Sequence, residues 1–384
     1  CCVESGAQGG VQQAGRLDHV SAFIPQRRRL VLVSLFCLSM CAGCGGTLRA
    51  TLPAEELPPL RQKAVRFLAD AAESGDPVLR MQAIEAFQEV APAEGSAVLI
   101  KNADNAYSGV CFAALMALGT IRDTDAAQVI RTRSEDSDAN VRIAAIYAMH
   151  RLGDKRRTGE LSEFLLHHPD ARVRANAALA IGRLAEPQSA RLLRTALRRE
   201  RKDAVKMQIL EALAFLGDSH GIDRLRFFGH SAVPDQAALA LMLLANAQPH
   251  EAEELFRYRV DVADHPEIKL QAARGLGKLG YDDGLDLALA YLNFDSPDTG
   301  RRNDPPEQQI IRVRALAALA LEAIGSPESL AGLKAAFERT DQPDRANVAV
   351  ARALVRVIDR CRLRESDRLR PSLQTASSTP ESNP

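Results

Sequence analysis

The sequence predicts an all-α protein built as an α-solenoid, a superhelix of about nine helical hairpins. Similar segments recur along most of the chain, with anchor residues such as Val110, Val141 and Val173 lying 31 to 32 residues apart. A repeat of this length is typical of arrays in which each unit is a pair of helices. The composition agrees, because 46% of the residues are hydrophobic, only 4% are aromatic and Trp is absent. A core of small aliphatic side chains favours closely packed helices over a β-sandwich.

The charge balance argues against one class of partner. Lys and Arg together number 49, Asp and Glu together number 49, and the formal net charge is zero. Dedicated nucleic-acid binders carry an overall basic charge. We therefore expect no nucleic-acid partner, and any charged binding surface must be local.

The N-terminal region, residues 1–43, is interpreted as an extension followed by a signal peptide. Arg27, Arg28 and Arg29 precede an uncharged run over residues 30–42. This run has the length of a signal-peptide core and is too short to span a bilayer as a helix. The region therefore indicates export from the cytoplasm.

The end of this run, Cys41-Ala42-Gly43-Cys44, resembles the bacterial lipobox. The resemblance implies cleavage before Cys44 and attachment of a diacylglyceryl group to its thiol, although Cys41 stands where the lipobox usually has Leu. Ordinary secretion and an uncleaved short anchor are the alternatives. Lipidation places the protein in the bacterial cell envelope, on the periplasmic face of the outer membrane in a Gram-negative cell, with the lipid bilayer as one partner.

The repeated segment is an amphipathic helix. Residues 141–152 and 173–184 align without a gap, each with an aliphatic anchor, a basic residue next to it, and small or apolar residues at fixed later positions. Those positions fall on one side of an α-helix, so each unit has one buried face. The anchors of the clearest units are Leu79, Val110, Val141, Val173, Val205, Val233, Ile268 and Val313, with a weaker unit near Asn347.

A second amphipathic segment and a turn lie between successive anchors, so each unit is predicted to be a helical hairpin. Asp76, Asp138 and Asp170 each stand three residues before an anchor, where a carboxylate accepts hydrogen bonds from the free N–H groups of a helix start. Gly153 and Gly217 follow two of the anchored helices. Glycine favours the left-handed backbone conformation that ends a helix.

The pattern Asp-x-x-Val-Arg-x-x-Ala resembles the HEAT-like repeats of the phycobilisome-lyase type, over roughly Leu60 to Ile358. The resemblance implies a scaffold fold and specifies no activity. It also implies that the basic residue after each anchor pairs with an acidic residue of a neighbouring turn. These basic residues are Arg80, Arg142, Arg174, Lys206, Lys269 and Arg314.

The predicted domain boundaries follow from the repeats and from the composition between them. Residues 44–59 are a lipid-anchored linker, and residues 60–364 are the HEAT-like repeat solenoid. Residues 365–384 are rich in Ser, Pro and other polar residues, which predicts a disordered C-terminal tail.

No catalytic site is predicted, and we expect the protein not to be an enzyme. Gly275 and Gly277 lie inside a repeat helix, whereas a phosphate-binding loop needs a strand before its glycines. His167 and His168 are adjacent residues in a turn, and no third ligand is spaced to share a metal ion with them. We therefore expect no metal, no cofactor and no small-molecule substrate.

Two sets of residues are candidate binding surfaces, and an ordinary solvated surface is the alternative for both. The first set lies three or ten positions after the anchors and predicts a groove that holds a peptide or helix of a partner protein. Its members are Gln82, Arg151, Asn176, Arg183, Gln208, Gln236, Gln271 and Lys278. The second set is a basic patch on one helical face, suited to an acidic protein or to anionic lipid head groups. Its members are Arg191, Arg194 and Arg198.

These features together predict an extracytoplasmic, membrane-tethered scaffold or adaptor that binds a protein partner through the solenoid surface. Two alternatives remain open. One is an enzyme-associated protein that handles a ligand as phycobilin lyases do, and the other is a HEAT-type nucleic-acid binder. The export signal disfavours both, because tetrapyrrole attachment and DNA binding belong to the cytosol.

Overall fold

The computed structural model describes residues 49–298, 304–339 and 344–375. The chain divides into two units, residues 1–46 and 47–384, and every described residue lies in the second. The predicted signal peptide and Cys44 lie outside the described residues, as do residues 376–384 of the predicted tail.

The described residues form eighteen α-helices and no strand, which confirms the predicted all-α solenoid. The helices are α1 (Leu57–Ala72), α2 (Pro77–Val90), α3 (Pro92–Ala103), α4 (Ser108–Ile121), α5 (Ala127–Arg133), α6 (Ala139–Arg151), α7 (Glu160–His167), α8 (Ala171–Leu184), α9 (Ala190–Arg199), α10 (Asp203–Phe215), α11 (Ser219–Gly229), α12 (Pro234–Ala247), α13 (Glu253–Val262), α14 (Pro266–Lys278), α15 (Leu285–Tyr291), α16 (Pro306–Ile324), α17 (Leu330–Glu338) and α18 (Arg345–Thr375). Short 3₁₀ turns cover Ala54–Glu56, Pro187–Ser189, His250–Ala252 and Pro327–Ser329.

The helices pair into nine hairpins, in agreement with the predicted number. Within each hairpin the odd-numbered helix packs against the even-numbered helix that follows it. Consecutive even-numbered helices also pack against one another, whereas odd-numbered helices barely meet. The even-numbered helices therefore form the inner layer of the curved array and the odd-numbered helices form the outer layer.

The predicted helix caps are present. The side chains of Asp76, Asp138 and Asp170 each accept a hydrogen bond of 2.8 Å from the backbone N–H two residues later. Gly153 and Gly217 have φ values of +102° and +70°, and both follow helix ends. Local sequence chemistry therefore sets where these helices start and stop.

Small residues allow the inner helices to approach closely. A Cβ atom added at Gly119 of α4 would lie 2.7 Å from the Cα atom of Ala148 in α6. A Cβ atom added at Gly182 of α8 would lie 2.6 Å from the Cα atom of Ala212 in α10. Both distances are shorter than van der Waals contact, so neither interface has room for a larger residue.

The predicted ladder of ion pairs is wrong for most of its members. Arg80 donates to the backbone carbonyl of Ser74 at 2.7 Å, and Arg142 donates to that of Asp136 at the same distance. These carbonyls belong to the turn before the arginine's own helix. The C=O groups of such a turn have no hydrogen-bond partner within a helix. Arg314 likewise donates to the carbonyl of Phe294 at 2.9 Å. The repeated basic residue therefore satisfies turn carbonyls within its own hairpin.

Arg174 is the member that does pair with the next repeat. Its guanidinium binds the Glu200 carboxylate through two hydrogen bonds of 2.8 and 3.1 Å. The same carboxylate accepts hydrogen bonds from the backbone N–H groups of Arg201 and Lys202 at 2.8 and 2.9 Å. The Arg174 hydrogen bond, helped by these backbone donors, lowers the pKa of Glu200 to about 2. Glu200 therefore fixes the turn between α9 and α10.

The array closes on itself within residues 49–375, because α18 packs against both α1 and α2. Arg61 of α1 binds Asp359 of α18 at 2.6 Å, and the rings of Phe67 and Phe337 meet edge to face with centroids 5.4 Å apart. The backbone N–H of Ala50 also donates to the carbonyl of Glu328 at 3.1 Å. We call this contact between the first and last hairpins the seam.

A charge network crosses the inner side of the seam. The buried Arg352 of α18 binds the buried Glu322 of α16 at 2.7 Å and approaches Glu85 of α2 to 3.6 Å. Arg356 joins Glu89 at 3.5 Å and Glu322 at 3.6 Å. The sequence did not predict the seam, since its contacts join residues nearly a full chain length apart, which no local pattern records.

Two boundaries differ from the predicted ones. Helix α1 begins at Leu57, inside the predicted linker, and residues before it already contact the last hairpin. Helix α18 continues to Thr375, which includes residues 365–375 of the predicted tail.

Replacing Gly182 by Ala tests the close approach of α8 and α10. The added methyl group clashes with the Ala212 backbone, so we expect the free energy of unfolding to fall by about 1–3 kcal/mol. The matched control is Gly159→Ala, because nothing lies within 4 Å of a Cβ atom at Gly159 and its φ is −58°. Chemical denaturation of the three proteins measures the difference, and equal losses in both variants would contradict the packing argument.

Replacing Glu200 by Gln tests the turn between α9 and α10. The folded pKa of about 2 lies below the ordinary value of 4.5, so the carboxylate stabilises the fold above pH 4.5. That contribution, about 3 kcal/mol at neutral pH, disappears as the pH falls from 4.5 towards 2. Unfolding measured at pH 7 and near pH 3 should show that the difference from wild type falls to about half between the two pH values. Glu254→Gln, at an exposed position, serves as control, and a difference independent of pH would refute this assignment.

Candidate partner-binding cleft

A cleft opens in the side of the array between α9, α10, α11 and α12. Its volume is about 750 Å³. The lining residues are Arg194, Leu197, Arg198, Asp203, Lys206, Met207, Leu210, His220, Arg224, Phe228 and Gln236. We call this feature the basic cleft.

The basic cleft exists because α10 and α12 pack less tightly than other consecutive inner helices. Met207 and Leu210 of α10 and Gln236 of α12 line the space between them. Leu210 of α10 and Leu241 of α12 still belong to one buried cluster. The cleft is therefore a widening between two helices whose cores remain joined, and it leaves Met207 and Phe228 partly exposed.

Positive charge exceeds negative charge around the basic cleft. Arg194 binds Asp218 at 3.2 Å, and Lys206 binds Asp203 at 2.9 Å.

Arg198 makes a hydrogen bond of 3.1 Å to the Thr195 hydroxyl, and Arg224 lies 5.4 Å from the centre of the Phe228 ring. Among the described residues, neither Arg198 nor Arg224 has a carboxylate within 4 Å. Two guanidinium groups thus remain available to an anion, and a guanidinium binds carboxylates with two parallel hydrogen bonds.

The floor and the rim of the basic cleft are apolar. Leu197, Met207, Leu210 and Phe228 contribute the floor. Phe227, which is 68% exposed, neighbours the cleft through its contact with the Phe228 ring. An exposed aromatic side chain beside a partly apolar cleft is typical of interaction sites.

The structure brings together parts of both predicted sets. Arg194 and Arg198 of the predicted basic patch line the cleft, and so does Gln236 of the predicted groove. Arg191 is exposed on the same helix but lies outside the lining. One cleft therefore joins residues that the sequence assigned to separate surfaces.

The other predicted groove amides bridge helices or lie buried. Asn176 donates to the Asn140 side chain at 2.9 Å, and Gln208 donates to the carboxylate of Glu211, whose pKa is raised by burial. Gln271 is only 5% exposed. The side-chain oxygens of Gln82 and Gln271 are buried without a hydrogen-bond partner. These amides do not form one continuous accessible stripe.

The predicted groove cations also contact neighbouring repeats. Arg151 donates to the carbonyl of Gly119 at 3.4 Å, a long hydrogen bond between α6 and α4. Arg183 stacks on the Phe215 ring at 4.3 Å from its centre. Lys278 donates to the side-chain oxygen of Asn246 at 2.9 Å. Each of these cations therefore joins one inner helix to another.

Sequence reasoning missed Arg224, Met207 and Phe228 as parts of the cleft. Arg224 and Phe228 lie on the outer helix α11, where the prediction singled out no residue. The available signal was the mixture of basic and aromatic residues over positions 224–228. Arg and aromatic residues side by side are enriched at protein interfaces.

Within the described ranges, no group of three or more His, Cys, Asp or Glu side chains is placed to hold a metal ion. Burial raises the pKa of Cys111 to about 11, so its thiol stays protonated and is a poor nucleophile at neutral pH. No helix in the same ranges is long and apolar enough to cross a membrane.

Comparison with solved structures gives distant likenesses. One is the complex of CpcE and CpcF of phycocyanin lyase from Nostoc sp., whose matched chain is 19% identical in sequence to this one. The match covers 67% of this chain and 92% of that chain, with a TM-score of 0.36. Human deoxyhypusine hydroxylase is 19% identical, covers 74% of this chain and 98% of that one, and has a TM-score of 0.33. Identities this low bear on the fold alone.

Comparison with protein families identifies the repeats themselves. The HEAT repeats family matches residues 96–165 and 158–231, and the PBS lyase HEAT-like repeat matches residues 313–339. None of the curated proteins matches this sequence. The chain therefore carries HEAT repeats, including one of the PBS lyase type, and its described residues form an all-α solenoid.

Proposed function

We propose that this protein is a membrane-tethered, non-enzymatic scaffold whose basic cleft binds an acidic segment of a partner protein. The observation that carries the proposal is the pairing of two available guanidinium groups, Arg198 and Arg224, with an apolar floor. Acidic side chains of the partner neutralise the guanidinium groups, while its apolar side chains cover the partly exposed Met207 and Phe228. This division of roles is the one that helix-binding grooves use.

The apolar surface favours a polypeptide over a small anionic ligand. A small amphipathic anion satisfies the same two requirements inside the cavity. However, the side chain of Phe227, which is 68% exposed, lies outside the cavity and contacts the Phe228 ring of its lining. A peptide long enough to cover Phe227 spans the cleft and its rim together, and a molecule confined to the cavity leaves that ring in water.

The tether rests on the lipobox-like sequence that ends at Cys44. A diacylglyceryl group on this thiol holds the protein at a membrane surface without a spanning helix. A scaffold held in this way needs no chemistry of its own, because its contribution is to keep a partner at the membrane.

Charge reversal in the basic cleft should abolish partner binding. We expect the double variant Arg198→Glu/Arg224→Glu to bind its partner at least tenfold more weakly, because truncating or reversing interfacial charges commonly costs 2–5 kcal/mol. Arg226→Glu is the matched control, since Arg226 lies on the same helix but is exposed and faces Asp223 at 3.9 Å. Crosslinking in cells followed by mass spectrometry identifies the partner.

Titration of the purified partner then measures the affinity of each variant and its salt dependence. A partner that the double variant and wild type bind equally would contradict the proposal. So would binding that depends only on a small molecule extracted with the protein. Circular dichroism confirms that both variants remain helical.

Labelling with a fatty-acid analogue tests the anchor. We expect the label to be incorporated into the wild-type protein and lost in Cys44→Ser, because the thiol is the attachment point. Cys41→Ser, which keeps Cys44, is the matched control and should retain the label. Equal labelling of the wild-type and Cys44→Ser proteins would end the lipoprotein assignment.

A further inference from the structure

Two cations on the inner layer converge on one neutral oxygen. Arg274 and Lys278 lie one helical turn apart on α14, so their side chains share one face. Arg274 donates to the side-chain oxygen of Asn246 on α12 at 3.1 Å, and Lys278 donates to the same oxygen at 2.9 Å. The two positive groups are thus held close together by an acceptor that carries no net charge.

No carboxylate compensates this pair directly. Among the described residues, neither Arg274 nor Lys278 has an Asp or Glu oxygen within 4 Å. The acidic groups that act on the pair through space are Glu85, Glu89 and Glu322. All three are already engaged in the network at the seam, Glu89 by Arg356 and the other two by Arg352. Arg352 adds further repulsion to both cations of the pair.

The pair is nevertheless reachable from solvent. Lys278 is exposed and Arg274 is half-buried. Burial by the surrounding inner helices, followed by repulsion from Arg274, lowers the pKa of Lys278 to about 8. The folded protein therefore holds positive charge that an anion would stabilise, at a place that an anion can enter.

We propose that Arg274, Lys278 and Asn246 form a binding site for a doubly charged oxyanion of the phosphate type, either free or as the terminal group of a larger molecule. The planar guanidinium of Arg274 offers two parallel donors, the ammonium of Lys278 offers a point charge, and the amide of Asn246 turns to donate its N–H. A dianion neutralises both cations at once, which the shared amide oxygen cannot do.

This site is separate from the basic cleft. Asn246 lies at the end of α12 and Gln236 of the cleft lies near its start, ten residues earlier. At 1.5 Å per residue the two ends are about 15 Å apart. Changes at one site can therefore be made without touching the other.

Isothermal titration with inorganic phosphate, at constant ionic strength set with chloride, tests the site. We expect saturable binding by wild type, at least tenfold weaker binding by Lys278→Gln, and similar weakening by Arg274→Gln.

Asn246→Asp supplies a carboxylate in place of the ligand. It should remove phosphate binding and raise the melting temperature in phosphate-free buffer. The Arg198→Glu/Arg224→Glu variant of the cleft should bind phosphate like wild type, and its failure to do so would place the anion in the cleft instead.

Phenyl phosphate, a monoester, distinguishes the two sources of the anion. Equal affinity for the monoester and for inorganic phosphate assigns the site to a terminal phosphate group, and binding of inorganic phosphate alone assigns it to the free ion. Absence of saturable binding by wild type with both probes would overturn the proposal, as would unchanged binding by Lys278→Gln. The partner titrations of the cleft do not depend on either result.

Discussion

The close approach of the inner helices is the constraint on which the rest of the structure depends. Gly119 and Gly182 face the backbone of the next inner helix, and Gly277 of α14 similarly faces the backbone at Ile324 of α16. Glycine at these points sets the spacing between repeats and hence the curvature of the array. Between α10 and α12 the inner helices pack less tightly than elsewhere, and the basic cleft opens there. The candidate binding surface therefore lies at the loosest of the interfaces between inner helices.

The closure of the array imposes a second requirement on its charges. Burying Arg352 and Glu322 costs solvation energy for both groups, and their mutual attraction offsets that cost only with good geometry. Such a pair contributes modestly to stability. Its greater effect is on specificity, because a displaced last hairpin leaves Glu322 buried without its partner. The network thus favours one alignment of α18 against α16 and α2 over shifted alignments.

The sequence predicts those parts of the molecule that local chemistry determines. The helical period and the capping residues Asp138 and Asp170 follow from patterns that lie within about a dozen residues. The number of hairpins follows from the recurrence of such a pattern along the chain. The face shared by Arg194 and Arg198 also follows from helical spacing. The seam could not be predicted, because the curvature that brings α18 to α1 accumulates from small rotations at every interface.

The residues of the candidate sites also divide into those that local sequence predicts and those that it does not. An offset from the anchor places a side chain on a face, but it does not say whether the next helix covers that face. Gln271 is covered and Gln236 is not, although both have the same offset. Arg224 was missed because α11 has no arginines three or four residues apart, the spacing that marks the patch on α9. Likewise, the convergence of Arg274 and Lys278 depends on Asn246, which belongs to another repeat.

The seam has a consequence for how such a protein can change in evolution. An open solenoid tolerates the duplication or loss of a unit, since each end simply moves. In a closed array every hairpin has two neighbours, and the angles between them must add up to one complete circuit. Closure therefore fixes the number of hairpins at nine. A gene that gained or lost one hairpin would encode a chain whose ends no longer meet.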